Sequence, residues 1–341
     1  MGASPLAGGS DGRNRVLVTA TRPSRRWPDS RRNEVRPMNS KYVVVMTGAT
    51  SGFGQSTLQD LAASPDTRVI IGARGENRAV PKGVDVLPLD LASLASVRDF
   101  AGAVIRQLGD ERIDILVLNA GLHGTPADQR SAEGYGLTFA VNHLAHYLLA
   151  RLLLPHIAEQ GRVVITSSNM HNPPIKAIGP KTLDLQEWAH PSKGGAGDGI
   201  RSYTASKLCN LMTALSLARH DTVVARQIEV IAFNPGLTGG AAGREASVLQ
   251  KALLGIVMRT IFPLVGLFRP EFVMNAPEHS GRMLSDVALG TLSLPEGRIY
   301  ISLVKGNPTF PDPSELARNR EAQERLWRES ALMVGLEESS P

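Results

Sequence analysis

The sequence predicts a single α/β domain, a doubly wound and mainly parallel seven-stranded sheet flanked by helices. Three observations carry that expectation. From residue 41 onward, short β-rich apolar runs alternate with helix-length amphipathic ones. The strand-like runs are continuously apolar, as in a sheet covered on both faces. The first of them ends in a glycine-rich turn that opens directly into a helix.

In chain order, the pattern predicts a strand over residues 42–46 and a helix over 53–63. Strands follow over 69–72, 84–89 and 113–118, with an amphipathic helix over 94–108. A helix around 135–157, a strand at 162–166, a helix at 203–219 and a strand at 228–233 continue the alternation. A seventh strand at 298–303 and a charged final helix over about 314–333 complete it. No repeat or linker divides residues 40–341, so cofactor and substrate regions share one fold. Residues 171–200, rich in Pro, Gly and Lys, read as a surface loop. Residues 237–280 are a second insertion, whose apolar stretch 253–268 is broken by Arg259, Pro263 and Gly266. That stretch is too short and too interrupted to span a bilayer. Two core-packed helices are one reading and a substrate lid with an apolar inner face the preferred one; peripheral membrane contact is a third, weakened by the few basic residues available to meet lipid headgroups.

Of the 341 residues, 42% are hydrophobic and 20% charged, an ordinary balance for a globular chain. The net charge of +5 resides in the first 39 residues, where eight arginines face Asp11, Asp29 and Glu34. The remainder is balanced, which argues against nucleic acid as a partner. Residues 1–39 read as a disordered basic extension ahead of a start near Met38, with an organelle leader over 1–37 as the alternative. A single cysteine, Cys209, excludes an internal disulfide framework and fits a reducing, cytoplasmic setting.

The segment Thr47–Gly54 reads TGATSGFG. Gly48 permits the turn, while Gly52 and Gly54 remove side chains where backbone must approach a diphosphate and where helix meets strand. Thr50, Ser51 and Phe53 fill the same loop, whose amides and helix dipole favour phosphate. The second strand ends in Gly72-Ala73-Arg74, with no carboxylate to grip a ribose 2′-hydroxyl, which favours NADP(H) over NAD(H). Arg74 offers a fork of donors suited to a 2′-phosphate. Tyr203 and Lys207 stand four residues apart, about one turn along a single helix face. A cation within about 4 to 6 Å lowers a phenol's pKa by roughly one to three pH units, so the pair suits proton exchange with a carbonyl or alcohol oxygen.

The G-x-x-x-G-x-G spacing together with Tyr-x-x-x-Lys resembles the short-chain dehydrogenase/reductase family, with its Rossmann-type fold, over most of residues 42–304. The resemblance implies further roles. Asp90-Leu91 matches the adenine contact after the third strand, and Asn119-Ala120-Gly121 the motif that braces the cofactor side. Ser168, rather than its neighbour Ser167, matches the serine that hydrogen-bonds the reacting oxygen, and Asn142 the asparagine that holds a water linking the lysine to solvent. Thr238, after Pro235-Gly236, matches a contact to the nicotinamide carboxamide. Lys207 would also hold the ribose. The family analogy further suggests a homodimer or homotetramer built on the long helices.

No metal is required. His143 and His146 share a helix face without acidic or sulfur partners, and read as packing or surface residues. His171 reads as a loop residue and Cys209 as packed. Asn142-His-Leu-Ala-His146, Ser206-Lys-Leu-Cys-Asn210 and residues 327–336 resemble the retinol dehydrogenase and light-dependent protochlorophyllide reductase branch. The latter carries a cysteine directly after Pro-Gly, implicated in protonating its substrate, and this chain has Leu237 there. A carbonyl/alcohol oxidoreductase for a bulky lipophilic substrate is therefore the preferred reading. A protochlorophyllide-reductase-like C=C reductase and a non-catalytic nucleotide sensor are the alternatives.

Overall fold

A computed structural model describes residues 42–337 apart from 76–78, 124, 127, 174–175, 192–196 and 240–272. The basic extension 1–39, the apolar stretch 253–268 and most of the expected lid lie outside the described residues. Eight strands form one sheet: β1 (Tyr42–Thr47), β2 (Thr67–Ala73), β3 (Asp85–Pro88), β4 (Ile113–Leu118), β5 (Ile157–Thr166), β6 (Glu229–Asn234), β7 (Tyr300–Val304) and β8 (Asn307–Thr309). Their order across the sheet is β3-β2-β1-β4-β5-β6-β7-β8, parallel throughout except for the last pair. The sequence had predicted seven. The eighth is a three-residue return strand, joined to β7 by Lys305 and Gly306, both at positive φ as a tight hairpin requires. Its Pro308 and short length blunt the sheet edge.

Successive residues of each strand face opposite layers. Val43, Val45, Leu116, Leu118, Val163 and Ile165 belong to one buried cluster, with helices α2 (Leu94–Leu108), α3 (Leu137–His156) and α5 (Asp198–Leu217). Val44, Met46, Ile115, Val117, Val164 and Phe233 belong to the other, with α1 (Gly52–Ala62) and α7 (Pro277–Leu289). Two-sided burial explains why these strands read as continuous apolar runs. Helix α3 is long and apolar enough to cross a membrane by composition, yet Leu144, Leu148, Leu149 and Leu153 are fully enclosed in the core. Within it, Ala140–Leu144 form a π-helical turn, a feature frequent at functional sites.

Within residues 171–200, expected as a surface loop, the described residues include a helix. Helix α4 (Leu185–Ala189) is capped by Asp184, which accepts from the Glu187 amide, and it buries Leu185 and Trp188. The next helix begins one turn before the expected Tyr203. After the short α6 (Asp221–Ala225), the expected lid ends earlier than residue 280, because α7 is a core helix. The final helix is two: α8 (Glu315–Arg318) and α9 (Arg320–Met333), broken at Asn319, whose side chain accepts from Ala322 N and caps the second. Helix α9 lies across α3 and α5. The Tyr147 hydroxyl donates to the Trp327 carbonyl at 2.8 Å, the two rings meet edge-on at 5.1 Å, and Arg219 reaches Gln323.

Helix α7 crosses α1 at Gly281. A β-carbon there would lie 2.5 Å from the Phe53 carbonyl oxygen and 2.6 Å from Ser56 Cβ, and the Thr57 hydroxyl donates to the Gly281 carbonyl at 3.0 Å. Gly281→Ala should therefore destabilise the protein by about 1–2 kcal/mol, overpacking outweighing the better helix propensity of alanine, as a lower urea midpoint would register.

Candidate active site

Strand order reverses between β1 and β4, and in open α/β sheets that switch point is where a ligand crevice forms, at the carboxyl ends of the strands. Parallel pairing delivers the expected site residues to one edge: the 48–54 turn after β1, Arg74 after β2, Asp90 and Leu91 after β3, Asn119 and Gly121 after β4, Ser168 after β5 and Thr238 after β6.

Gly48 and Gly52 both adopt positive φ, 68° and 60°. Gly54 is required for closeness: a β-carbon there would fall 2.0 Å from the Gly48 carbonyl oxygen and 2.6 Å from Asn119 Nδ2. Ser51 begins α1 in extended geometry without a side-chain cap, which leaves the first-turn amides to face the crevice beside Thr50 and Phe53. These features fit a dinucleotide diphosphate. Arg74 is exposed at the crevice edge. Asp90 accepts from Ala92 N, shaping the turn into α2, while Leu91 packs on the core. Asn119 is buried and braces the turn, donating to the Gly48 carbonyl at 3.1 Å and accepting from the Thr166 hydroxyl at 2.9 Å. The Thr238 hydroxyl lies 3.0 Å from Ser280 Oγ and donates to the Pro235 carbonyl.

Tyr203 and Lys207 project from α5 beneath this edge. Lys207, 3% exposed, donates to the Thr166 carbonyl at 3.1 Å, and its Nζ lies 5.7 Å from the Tyr203 ring centroid. A β-carbon at Gly121 would stand 3.4 Å from both Lys207 Nζ and Asn142 Oδ1, so glycine leaves the two side chains room to converge. The Ser167 hydroxyl turns away, donating to the Lys207 carbonyl at 2.9 Å. Ser168 instead acts on the Tyr203 phenol, opposing the rise in its pKa, while its hydroxyl donates to Asn169 Oδ1 at 3.3 Å and accepts from Met170 N at 3.2 Å.

The electrostatics depart from the sequence expectation. Burial pushes the Tyr203 phenol above its ordinary pKa, and the Ser168 hydrogen bond only partly opposes this. Burial also pulls Lys207 down to about 8. The expected lowering of the phenol by the lysine is outweighed because both groups share a desolvated setting.

Asn142 lies in the π turn, and its side chain is fully engaged: Oδ1 accepts from Leu122 N at 2.7 Å, and Nδ2 donates to the Leu122 carbonyl and to Ser206 Oγ, both at 2.9 Å. Its main-chain carbonyl lies 3.1 Å from His146 Nδ1. His143 and His146 diverge to separate partners, Ser330 and Thr47. His171 is buried against Tyr300 and donates to the Ser168 carbonyl at 2.7 Å, so it braces the serine instead of occupying a loose loop. Cys209 is enclosed. The sequence assigned no role to Thr47, Thr166 or Asn210 and read His146 as a packing or surface residue; their polar side chains at strand ends and on helix faces were the available signal.

The chain matches the short chain dehydrogenase family profile over residues 42–179. A protochlorophyllide reductase of Avena sativa is 32% identical over 327 residues, spanning 86% of this chain and 100% of that protein. Retinol dehydrogenase 13 of Homo sapiens is 27% identical over 310 residues, spanning 87% and 86%. Among solved structures, an uncharacterised protein from Mycobacterium Paratuberculosis superposes with a TM-score of 0.64 at 25% identity, covering 88% of this chain and 96% of that one. A short chain dehydrogenase from Burkholderia cenocepacia J2315, in complex with NADP, shares the fold with a TM-score of 0.53 at 21% identity, covering 73% and 91%. With a relative this similar along its whole length, the chain belongs to the short-chain dehydrogenase/reductase family of oxidoreductases.

Proposed function

We propose that the protein is an NADP(H)-dependent oxidoreductase acting on the carbonyl or alcohol of a bulky lipophilic substrate, with Tyr203 as its acid/base. The observation that carries this reading is the convergence of Ser168, Tyr203 and Lys207 at the switch-point crevice, beside a glycine turn with no space for side chains.

The 48–54 turn would hold the diphosphate, Arg74 the 2′-phosphate, Asp90 and Leu91 the adenine, and Asn119, Gly121 and Thr238 the nicotinamide half. The bound nicotinamide supplies or accepts the hydride. Tyr203 carries its proton at neutral pH, because burial raises its pKa, and can deliver it to a substrate carbonyl oxygen. Ser168 donates a hydrogen bond to the same oxygen as negative charge develops there. Lys207 holds ribose and, through the Asn142 carbonyl and solvent, returns a proton to the phenol.

Ile200, 40% exposed and one turn before Tyr203, and Met274, 42% exposed and against Gly239, give the crevice an apolar rim that suits a lipophilic substrate. The similarity to the Avena sativa reductase favours one second reading, light-driven C=C reduction of a tetrapyrrole. Dark turnover across retinoids, steroids, aromatic aldehydes and ketones, compared with protochlorophyllide in light and dark, separates the two; light-only tetrapyrrole reduction would replace the carbonyl reading.

Tyr203→Phe should lower kcat by about 10²–10⁴-fold while cofactor binding, followed by fluorescence titration, stays unchanged. Arg74→Ser should reduce kcat/KM for NADPH by roughly 10- to 100-fold and leave NADH almost unaffected, given the strength of charge-assisted hydrogen bonds. Lys207→Met should abolish turnover yet stabilise the protein at pH 7, since a buried ammonium is removed and Asn210 Nδ2 still donates to the Thr166 carbonyl at 3.0 Å. With a folded pKa of about 8 below the unfolded value of 10.5, the unfolded chain binds the extra proton between those two pH values. The gain, about 1–3 kcal/mol, should thus be full below pH 8 and vanish toward pH 10.5 in urea unfolding curves.

A further inference from the structure

His146 is 2% exposed and has no part in the chemistry above, yet it joins both halves of the site. Its Nδ1 lies 3.1 Å from the main-chain carbonyl of Asn142, which can only accept, so Nδ1 bears a proton. Its Nε2 lies 2.9 Å from Thr47 Oγ1. That hydroxyl already accepts from the amides of Asn119, at 3.0 Å, and Ala120, at 3.2 Å. Its two lone pairs are therefore engaged, and its single proton must point to Nε2. Every donor and acceptor in the chain is satisfied in one arrangement only, with the imidazole neutral and protonated on Nδ1. Burial and the nearby Lys207 charge pull His146 down to about 4, consistent with a ring that stays neutral.

The two ends of this chain are functionally distinct. Thr47 closes β1 immediately before the glycine turn, and Asn119-Ala120 close β4 across the switch point. Asn142 occupies the π turn, where its side chain is committed to Leu122 and Ser206, and its main-chain carbonyl is the group through which the proposed reaction would return a proton. One side of that carbonyl takes the His146 proton.

We propose that His146 is a positioning residue that ties the cofactor turn to the Asn142 carbonyl, and so keeps the hydride and proton halves of the reaction in register. This rests on the dehydrogenase reading given above. Two substitutions each keep one end of the tie: His146→Asn places an amide donor where Nδ1 was, and His146→Gln places an acceptor near Nε2. Each should lower kcat by about 10- to 100-fold, the scale expected for small misplacement of reacting groups. Cofactor dissociation constants should remain within about threefold, and the isotope effect with 4-deuterated NADPH should rise as hydride transfer becomes limiting. A pure packing role would move melting temperature without moving the isotope effect.

The tautomer is tested separately, with ring ¹⁵N–¹H spectra of the wild-type protein, which should show the His146 proton on Nδ1. A proton on Nε2 would overturn the inference, as would kcat within twofold of wild type and an unchanged isotope effect in both variants. Wild-type dark turnover that Tyr203→Phe abolishes while both His146 variants stay active would remove this inference alone. Absence of dark turnover across the whole substrate panel would overturn the dehydrogenase reading together with it.

Discussion

The approach of Gly54 to the Gly48 carbonyl, with Asn119 pressed against both, is the constraint on which the site depends. A side chain at either glycine would separate β1 from the start of α1 and dislodge the asparagine. Asn119 in turn accepts from Thr166, and the Thr166 carbonyl receives both Lys207 and Asn210. Glycine turn, fourth strand, fifth strand and helix α5 are thus linked through a short series of hydrogen bonds. No member can shift far without leaving a buried polar group unpaired, at a cost of about 1–3 kcal/mol each.

Burial sets the proton chemistry. A charge pair on a solvated helix would lower the phenol's pKa, and that was the expectation from spacing alone. In the folded protein the lysine is enclosed and its own pKa falls, and for the phenol the cost of burying its anion is the largest influence. The phenol is left protonated, with the Ser168 hydrogen bond as the opposing influence.

Much of this was legible in the sequence because the governing signals are local and periodic. The extent of α2 and β4 follows directly from amphipathic spacing in one and an unbroken apolar run in the other. The 48–54 turn is read from glycine spacing, since no other residue fits there. What escaped depends on tertiary context. Strand β8 is too short and carries a proline, so only its pairing with β7 defines it. Helix α4 was hidden in a polar segment, and its Trp188 gains meaning from the pocket it fills. Thr47, Thr166 and His146 are ordinary residues in sequence, and their importance lies in partners 41 to 99 positions away.

Dependence on long-range partners also separates what members of such a family can share from what they can vary. The glycine turn, Asn119 and the α5 pair are interlocked through backbone groups, so altering one strains the rest. By contrast, Ile200 and Met274 are exposed and Leu237 half-buried, and their side chains stand outside that hydrogen-bonded series. Changes there leave that series intact. A protochlorophyllide reductase and a retinol dehydrogenase can therefore both resemble this chain along most of its length, because the interlocked turn, strand ends and helix leave little freedom to vary while residues outside the series are not so bound.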